Sequence, residues 1–169
     1  MTPHDHHHEH HKKEHRPLRV GVITASDSRK ADNDESGDII KDALTKAGHS
    51  VGFYRIIPDD PDRIRSAVLD NLSDLDAIII TGGTGISPRD NTFEAVHSIL
   101  DKEIDGFGEL FRMLSYNEIG SAAFLSRATA GISSGKIVVS IPGSPAACRL
   151  AMEKLLIPQL GHMADLLEL

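Results

Sequence analysis

The apolar positions of this chain fall into two alternating patterns. Leu18 to Ala25, Val51 to Ile57, Ala77 to Thr81 and Lys136 to Ile141 are short runs rich in Val and Ile, the length and make-up of buried strands. Between them apolar residues recur every three or four positions. Ile39, Ile40, Ala43, Leu44 and Ala47 form one helical stripe, which Gly48 ends. Ile64, Ala67, Val68 and Leu72 form a second, with Pro61 in its first turn. Ala95, Val96, Ile99 and Leu100 form a third, and Asn91 with Glu94 has the spacing of a capping box at its start. Ala147, Leu150, Ala151 and Leu155 form a fourth, opened by Ser144 as N-cap and Pro145 as first helical residue. Residues 104–130 read as helical, in two pieces parted near Gly120, and a short apolar helix follows Pro158. The alternation predicts an α/β domain with strands buried on both faces and helices packed over them.

Composition narrows the partners. At 169 residues one domain is expected, spanning 17–169, with no internal repeat. The net charge of −7 speaks against sequence-independent nucleic-acid binding, which needs clustered cations. Cys148 is the only cysteine, so no internal disulfide forms and it reads as a small core residue. No apolar run approaches the ~18 residues of a membrane helix, and the N-terminus has no apolar signal core, so a cytoplasmic location is the default expectation. Residues 1–16 stand apart: seven of the first fifteen are His, interspersed with charges. Such a segment buries nothing and is expected to be disordered. A solvated tail without a role and loose binding of Zn, Ni or Cu both remain open for it.

Chemistry concentrates where strands end, the place where open α/β sheets bind ligands. The third strand runs directly into Thr81-Gly82-Gly83-Thr84-Gly85, then Ile86-Ser87-Pro88 and Arg89-Asp90. Glycines there let a ligand approach the main chain, and inward N–H groups make a nest for an anion. A tight turn alone also explains the glycines, but not the cation and carboxylate that follow. The loop lacks the Lys-Ser/Thr end of a Walker loop and the G-x-G-x-x-G spacing. Ser26-Asp27 follows the first strand, Asp59 the second, and Pro142-Gly143-Ser144-Pro145 a late one. The last offers unpaired N–H groups and a helix dipole to an anion. Carboxylates beside a phosphate need a cation between them, and Mg²⁺ bound through one or two carboxylates plus phosphates is the natural choice. Phosphoryl or nucleotidyl transfer follows as the expected chemistry. Asp59 and Asp60 serve equally well as caps for the helix at Pro61. The acidic run Asp32 to Glu35 reads as a solvated loop, although Ser36-Gly37 at a helix start can touch a ligand. Arg112 and Arg127 read as surface or interface residues, and His97 as packed or solvent-facing.

The segment Ile79 to Asp90 resembles the signature of the molybdenum-cofactor biosynthesis family that includes MogA, MoaB and the gephyrin G domain. Asp34-Glu-Ser-Gly37, Ile57-Pro-Asp59, Gly106-Phe-Gly-Glu109, Ser126-Arg127 and Ile141 to Pro145 match further blocks, in family order from about Leu18 to the C-terminus. The stretch Phe107 to Gly120, which carries Ser115 as a substrate-binding position, and Ala147-Cys-Arg149 are similar to MoaB. The resemblance implies a three-layer α/β/α domain with a central, mostly parallel sheet. It implies Mg-ATP-dependent adenylylation of molybdopterin with release of pyrophosphate, the product passing to a metal-insertion protein. Asp59 and Asp90 match the two aspartates of active members, as catalytic and metal-binding residues. Ser26, Asp27, Ser36, Gly37, the loop Thr81 to Gly85, Arg89, Ser115 and Pro142 to Pro145 then bind substrate. Some MoaB-type proteins lack the aspartate pair and the activity, so its presence here implies an enzyme. A non-catalytic pterin carrier is the rival reading, and a CinA-like nucleotide-cleaving enzyme a third. The resemblance also implies a homotrimer or hexamer. The apolar content of Ile104 to Ala130 exceeds what one helical face needs for its own core, the usual mark of a subunit contact.

Overall fold

The computed structural model describes residues 15–169. Six strands form one sheet: β1 (Arg19–Ala25), β2 (Ser50–Ile57), β3 (Ala77–Thr81), β4 (Lys102–Glu103), β5 (Thr129–Ser133) and β6 (Lys136–Ile141), in the order β2-β1-β3-β6-β5-β4. The β2-β1, β1-β3 and β3-β6 pairs are parallel; β6-β5 and β5-β4 are antiparallel. Helices α1 (Glu35–Lys46), α2 (Pro61–Leu69), α3 (Thr92–His97), α4 (Asp105–Ile119), α5 (Pro145–Ala151) and α6 (Ile157–Leu167) cover both faces.

The period-two pleat of β3 divides the core into two layers. Ala77 and Ile79 pack with Ile40 and Leu44 of α1, Phe107 and Phe111 of α4, and Leu160 of α6. Ile78 and Ile80 pack with Ile64 and Val68 of α2 and Ala95 and Val96 of α3. All three isoleucines are fully buried, each contributing about 1.5–3 kcal/mol of transfer free energy. That two-sided burial makes the α/β/α sandwich and explains the unbroken apolar run.

The chain goes from β1 to β2 on one side and returns past β1 to β3 on the other, so the strand order reverses between β1 and β3. The carboxyl ends of these two strands therefore border the crevice where such sheets take ligands.

The structure departs from the sequence pattern in four places. The helical reading of 104–130 holds for α4 and a 3₁₀ turn at Gly120–Leu125, but Thr129–Ser133 is a strand. Its small residues show no alternation. Its pairing with β6 comes from a two-residue hairpin, Ser134-Gly135, both at positive φ as such turns require. Leu100 and the Lys102 carbonyl fill the side where Gly131 has no side chain. The C-terminal helix does not begin after Pro158: a π-helical stretch, Met152–Leu156, joins α5 to α6, and Pro158 sits just beyond it, where the bonding pattern already departs from that of a regular α-helix. Asn91 makes no side-chain cap on α3, because its amide is drawn to the carbonyls of Asp59 and Arg89. Finally, His15 and Arg16 are tied to the domain. The His15 ring bonds Asp165 at 2.9 Å, and Arg16 pairs with Asp76 and Glu168. The rest of the His-rich segment, with its metal-binding reading, lies outside the described residues.

Candidate functional site

Two aspartates in succession take different tasks after β2. Asp60 accepts the Arg63 N–H at 2.9 Å and caps α2. Asp59 is thereby left for the crevice. Its Oδ1 accepts the Asn91 N–H at 3.2 Å, and its own N–H donates to Asp27 at 3.1 Å. The other Asp27 oxygen accepts Arg89 at 2.6 Å, so segments following β1, β2 and β3 meet in one chain of contacts. Burial pushes the Asp59 carboxyl above the ordinary range; neighbouring Asp90 and Asp27 add to that, while the Asn91 bond and Arg89 oppose it. A cation would relieve this crowding of carboxylates.

The glycine loop is a close-packed bend. Gly82 and Gly83 both have positive φ. A β-carbon on Gly82 would overlap the Ala25 carbonyl, and one on Gly83 would stand 2.8 and 2.9 Å from the Asp59 oxygens. Asp90 folds back over the loop, accepting the Ser87 N–H at 2.8 Å. A crevice of about 270 Å³ opens beside it, lined by Ser87, Asp90, Asn91, Glu94 and Arg127.

The Pro142–Pro145 loop lies against the glycine loop. Thr81 donates to the Pro142 carbonyl at 2.9 Å, the Gly82 N–H donates to Ile141 at 3.0 Å, and a β-carbon on Gly143 would stand 3.2 Å from Gly82 Cα. Ser144 caps α5 by accepting the Ala147 N–H, as its sequence position predicts. Ser36 donates to the Gly143 carbonyl at 2.6 Å, which brings the start of α1 to the same place. Ser26 is engaged by the Ser28 and Arg29 N–H groups in the turn beyond β1. Ser115 is buried on α4, and among the described residues no hydrogen bond joins it to these loops. Cys148 is buried under Thr81, and burial pushes its thiol up, away from the activated range of a nucleophile.

Three supporting residues were not legible as such in the sequence. Arg127 is a clamp rather than a surface group. Its N–H donates to Thr84, its guanidinium reaches the Gly85 and Asp90 carbonyls at 2.9 and 3.1 Å, and it pairs with Glu94. Glu94 is thus engaged by this pair and closes no capping box. Thr92, which opens α3, is wholly buried and stands beside Gly83 and Asp59. Asp34, read as part of a solvated acidic loop, is 1% exposed. It accepts Thr24 at 2.6 Å, Tyr54 at 2.7 Å and the Gly37 N–H at 3.1 Å, anchoring the start of α1 to β1 and β2. The clue was the spacing Asp34-x-x-Gly37 of an N-cap.

For Asp34, burial favours the neutral acid, but the bonds from Thr24, Tyr54 and Gly37 outweigh it and hold the carboxyl below the ordinary range. A depressed folded-state value means that its stabilisation is present above the unfolded value of about 3.9 and is lost as pH falls through the folded one. Asp34→Asn places amide hydrogens against two hydroxyl donors, and should cost about 1–3 kcal/mol at pH 7. The deficit should shrink toward pH 3. Urea unfolding at both pH values checks this, and a deficit independent of pH contradicts it.

Known proteins share this fold. A model of a probable molybdopterin-binding domain matches residues 21–162. The chain belongs to the molybdenum-cofactor biosynthesis family. It is 50% identical over 155 residues to molybdenum cofactor biosynthesis protein B of Bacillus cereus, covering 90% of this chain and 92% of that one. A crystal structure of a molybdenum cofactor biosynthesis protein B superposes with a TM-score of 0.89 at 48% identity, covering 92% of this chain and 99% of that chain. The tungsten cofactor synthesizing protein MoaB of Pyrococcus furiosus matches with a TM-score of 0.81 at 38% identity, covering 89% and 96%. The α/β fold is that of MoaB and MogA, and the role of this family member lies in molybdenum cofactor biosynthesis.

No group of three His, Cys, Asp or Glu able to hold a metal occurs among the described residues. A cation bound here through one or two carboxylates would take its other ligands from non-carboxylate oxygens, a pattern that Mg²⁺ accepts. No helix among the described residues is long and apolar enough to cross a membrane.

Proposed function

We propose that this protein adenylylates molybdopterin with Mg-ATP and releases pyrophosphate. The observation that carries the reading is the convergence of Asp59, Asp90 and the Gly82-Gly83 bend at the β1/β3 crevice. The pterin's terminal phosphate oxygen forms the new bond to the α-phosphorus of ATP, and the bond from that phosphorus to the pyrophosphate oxygen breaks. Mg²⁺ supplies charge neutralisation to the phosphates. Asp59 and Asp90 are the carboxylates available to hold it. The backbone of Gly83 to Gly85 and of Gly143-Ser144, ahead of α5, offers N–H groups to phosphate oxygens. Arg89 adds a cation at the rim, where it is exposed and held by Asp27. Arg127 and Asp34 fix the loops, so alignment precedes ligand arrival, the main source of rate in phosphoryl-type transfer. Pyrophosphate release from ATP, with and without purified molybdopterin, is the test. Release that depends on molybdopterin supports the enzyme; pterin binding without release supports a carrier instead.

The enzyme also works as a homo-oligomer in this reading, trimer or hexamer. Phe107 and Phe111 of the apolar 104–130 stretch belong to the core, but Leu110, Met113, Tyr116 and Ile119 form a stripe along the outside of α4. Phe124, 74% exposed, and Leu125 extend it. A patch of this kind on a soluble chain marks an interface. Light scattering at micromolar concentration should give three or six chain masses; a single-chain mass refutes the assembly.

A further inference from the structure

The first described residues are fastened to α6 through a missing side chain. Gly161 sits inside that helix, where a glycine costs about 1 kcal/mol relative to alanine. A β-carbon on it would stand 2.5 Å from His15 Cβ and 2.6 Å from His15 Cγ, so the bare position is a notch that seats His15. Arg16 completes the fastening through Asp76 and Glu168. Asp76 immediately precedes β3, which puts this anchor at the amino ends of the parallel strands, opposite the crevice at their carboxyl ends.

The notch gives His15 one defined chemistry. Its Nδ1 lies 2.9 Å from Asp165 Oδ2, and the two side chains are only 27% and 25% exposed. An ionised carboxylate can only accept, so Nδ1 carries the proton and Nε2 keeps its lone pair. A carboxylate that holds one imidazole nitrogen while the other faces a metal is the usual support of a histidine ligand. His162 is a second imidazole. It stands three residues before Asp165 on the same helix face, is exposed, and has its ring centre 6.2 Å from that of His15. With metal–nitrogen bonds of about 2.0–2.1 Å, two imidazoles on one ion have ring centres up to about 6.5 Å apart. The His162 ring makes no hydrogen bond among the described residues, so it can turn toward an ion without breaking one.

Two imidazoles are short of a full set, and the described residues hold no group of three His, Cys, Asp or Glu able to bind a metal. The sequence supplies more. His4, His6, His7, His8, His10 and His11 stand upstream of His15, the nearest four positions away. A short tether presents such groups at an effective concentration on the order of millimolar. Imidazole suits Zn²⁺, Ni²⁺ and Cu²⁺ rather than the hard Mg²⁺ expected at the crevice.

We propose that His15 and His162 are ligands of a transition-metal ion of the Zn²⁺ class, with histidines of residues 4–11 filling its remaining positions. The ion clasps the His-rich segment to α6. This site is separate from the crevice and does not depend on adenylyl transfer.

Zn²⁺ calorimetry and thermal scans of the full chain test it. A ligand that binds the folded state and not the unfolded one raises the thermal midpoint. Zn²⁺ held by the His-rich segment alone binds both states and leaves the midpoint where it was. The unaltered chain should therefore melt higher with Zn²⁺ than without. His162→Gln changes one exposed side chain and keeps the metal-free midpoint. It should lower Zn²⁺ affinity at least about 10-fold, the scale on which losing even a supporting partner acts, and abolish the rise in midpoint. His15→Ala leaves all six upstream histidines in place and should weaken Zn²⁺ binding in the same way. Unchanged Zn²⁺ affinity in either variant overturns the proposal. So does a rise in midpoint that survives His162→Gln, Zn²⁺ binding that leaves the midpoint of the unaltered chain unmoved, or no Zn²⁺ binding by that chain.

Discussion

Asp90→Asn will lower the turnover of adenylyl transfer by at least about 10²-fold, the scale on which removing one preorganised electrostatic group acts. The substitution is nearly isosteric. The carboxamide oxygen can still accept the Ser87 N–H that now reaches Asp90 at 2.8 Å, so the loop keeps its bend. Arg127 holds the Asp90 carbonyl, which the change does not touch. What disappears is one negative charge at the mouth of the crevice, beside Asp59 and Asp27. Its loss should weaken the hold on the cation and leave pterin binding largely intact, because the proposed reading gives that contact to the backbone loops. Pyrophosphate release under saturating ATP and pterin reads turnover, and pterin binding is measured alongside. Full turnover in a folded Asp90→Asn protein would remove Asp90 from the catalytic machinery.

Gly83→Val should abolish binding of the nucleotide and the pterin. Gly83 is at φ +66°, a region that a β-branched residue enters only with strain of about 1–3 kcal/mol. Its first added carbon would collide with Thr92 Oγ1 and press on both Asp59 oxygens. The displaced carboxylate then no longer accepts Asn91, and the space between the loops is filled. The domain should still unfold cooperatively at a lower midpoint, since Ile78, Ile79 and Ile80, on the strand that leads into the loop, keep their core positions. Calorimetric titration with ATP and a thermal scan on the same sample decide the matter. A variant that melts earlier yet binds ATP as before shows that the glycine serves only the turn.

Much of this architecture was legible one residue at a time. The runs at Leu18, Val51, Ala77 and Lys136 are the four parallel strands; β1, β3 and β6 are nearly continuous apolar runs because both their faces are buried, while edge strand β2 is only half-buried and carries Tyr54 and Arg55. Gly48, Pro61, Ser144 and Pro145 marked helix ends, since capping and φ restrictions act within a few residues. The glycine loop and the Ile57-Pro58-Asp59 block were recognisable as chemistry for the same local reason.

What the chain could not reveal were choices between competing partners. Asp59 and Asp60 are equal candidates for a helix cap, and only the placing of β2 beside β1, with β3 on the far side, assigns the cap to Asp60 and the crevice to Asp59. Asp34 looks solvated until Tyr54, from the neighbouring strand, closes over it. Arg127 looks like a surface cation until the β5 segment is laid beside the glycine loop, where a rigid fork of donors finds carbonyls from two ends of one bend. Thr129–Ser133 becomes a strand only because β6 offers it an edge. Periodicity and capping are local and so are written in the order of residues. Hydrogen-bond partners twenty or more positions apart depend on which segments the folded sheet brings together, and that is settled by tertiary packing alone.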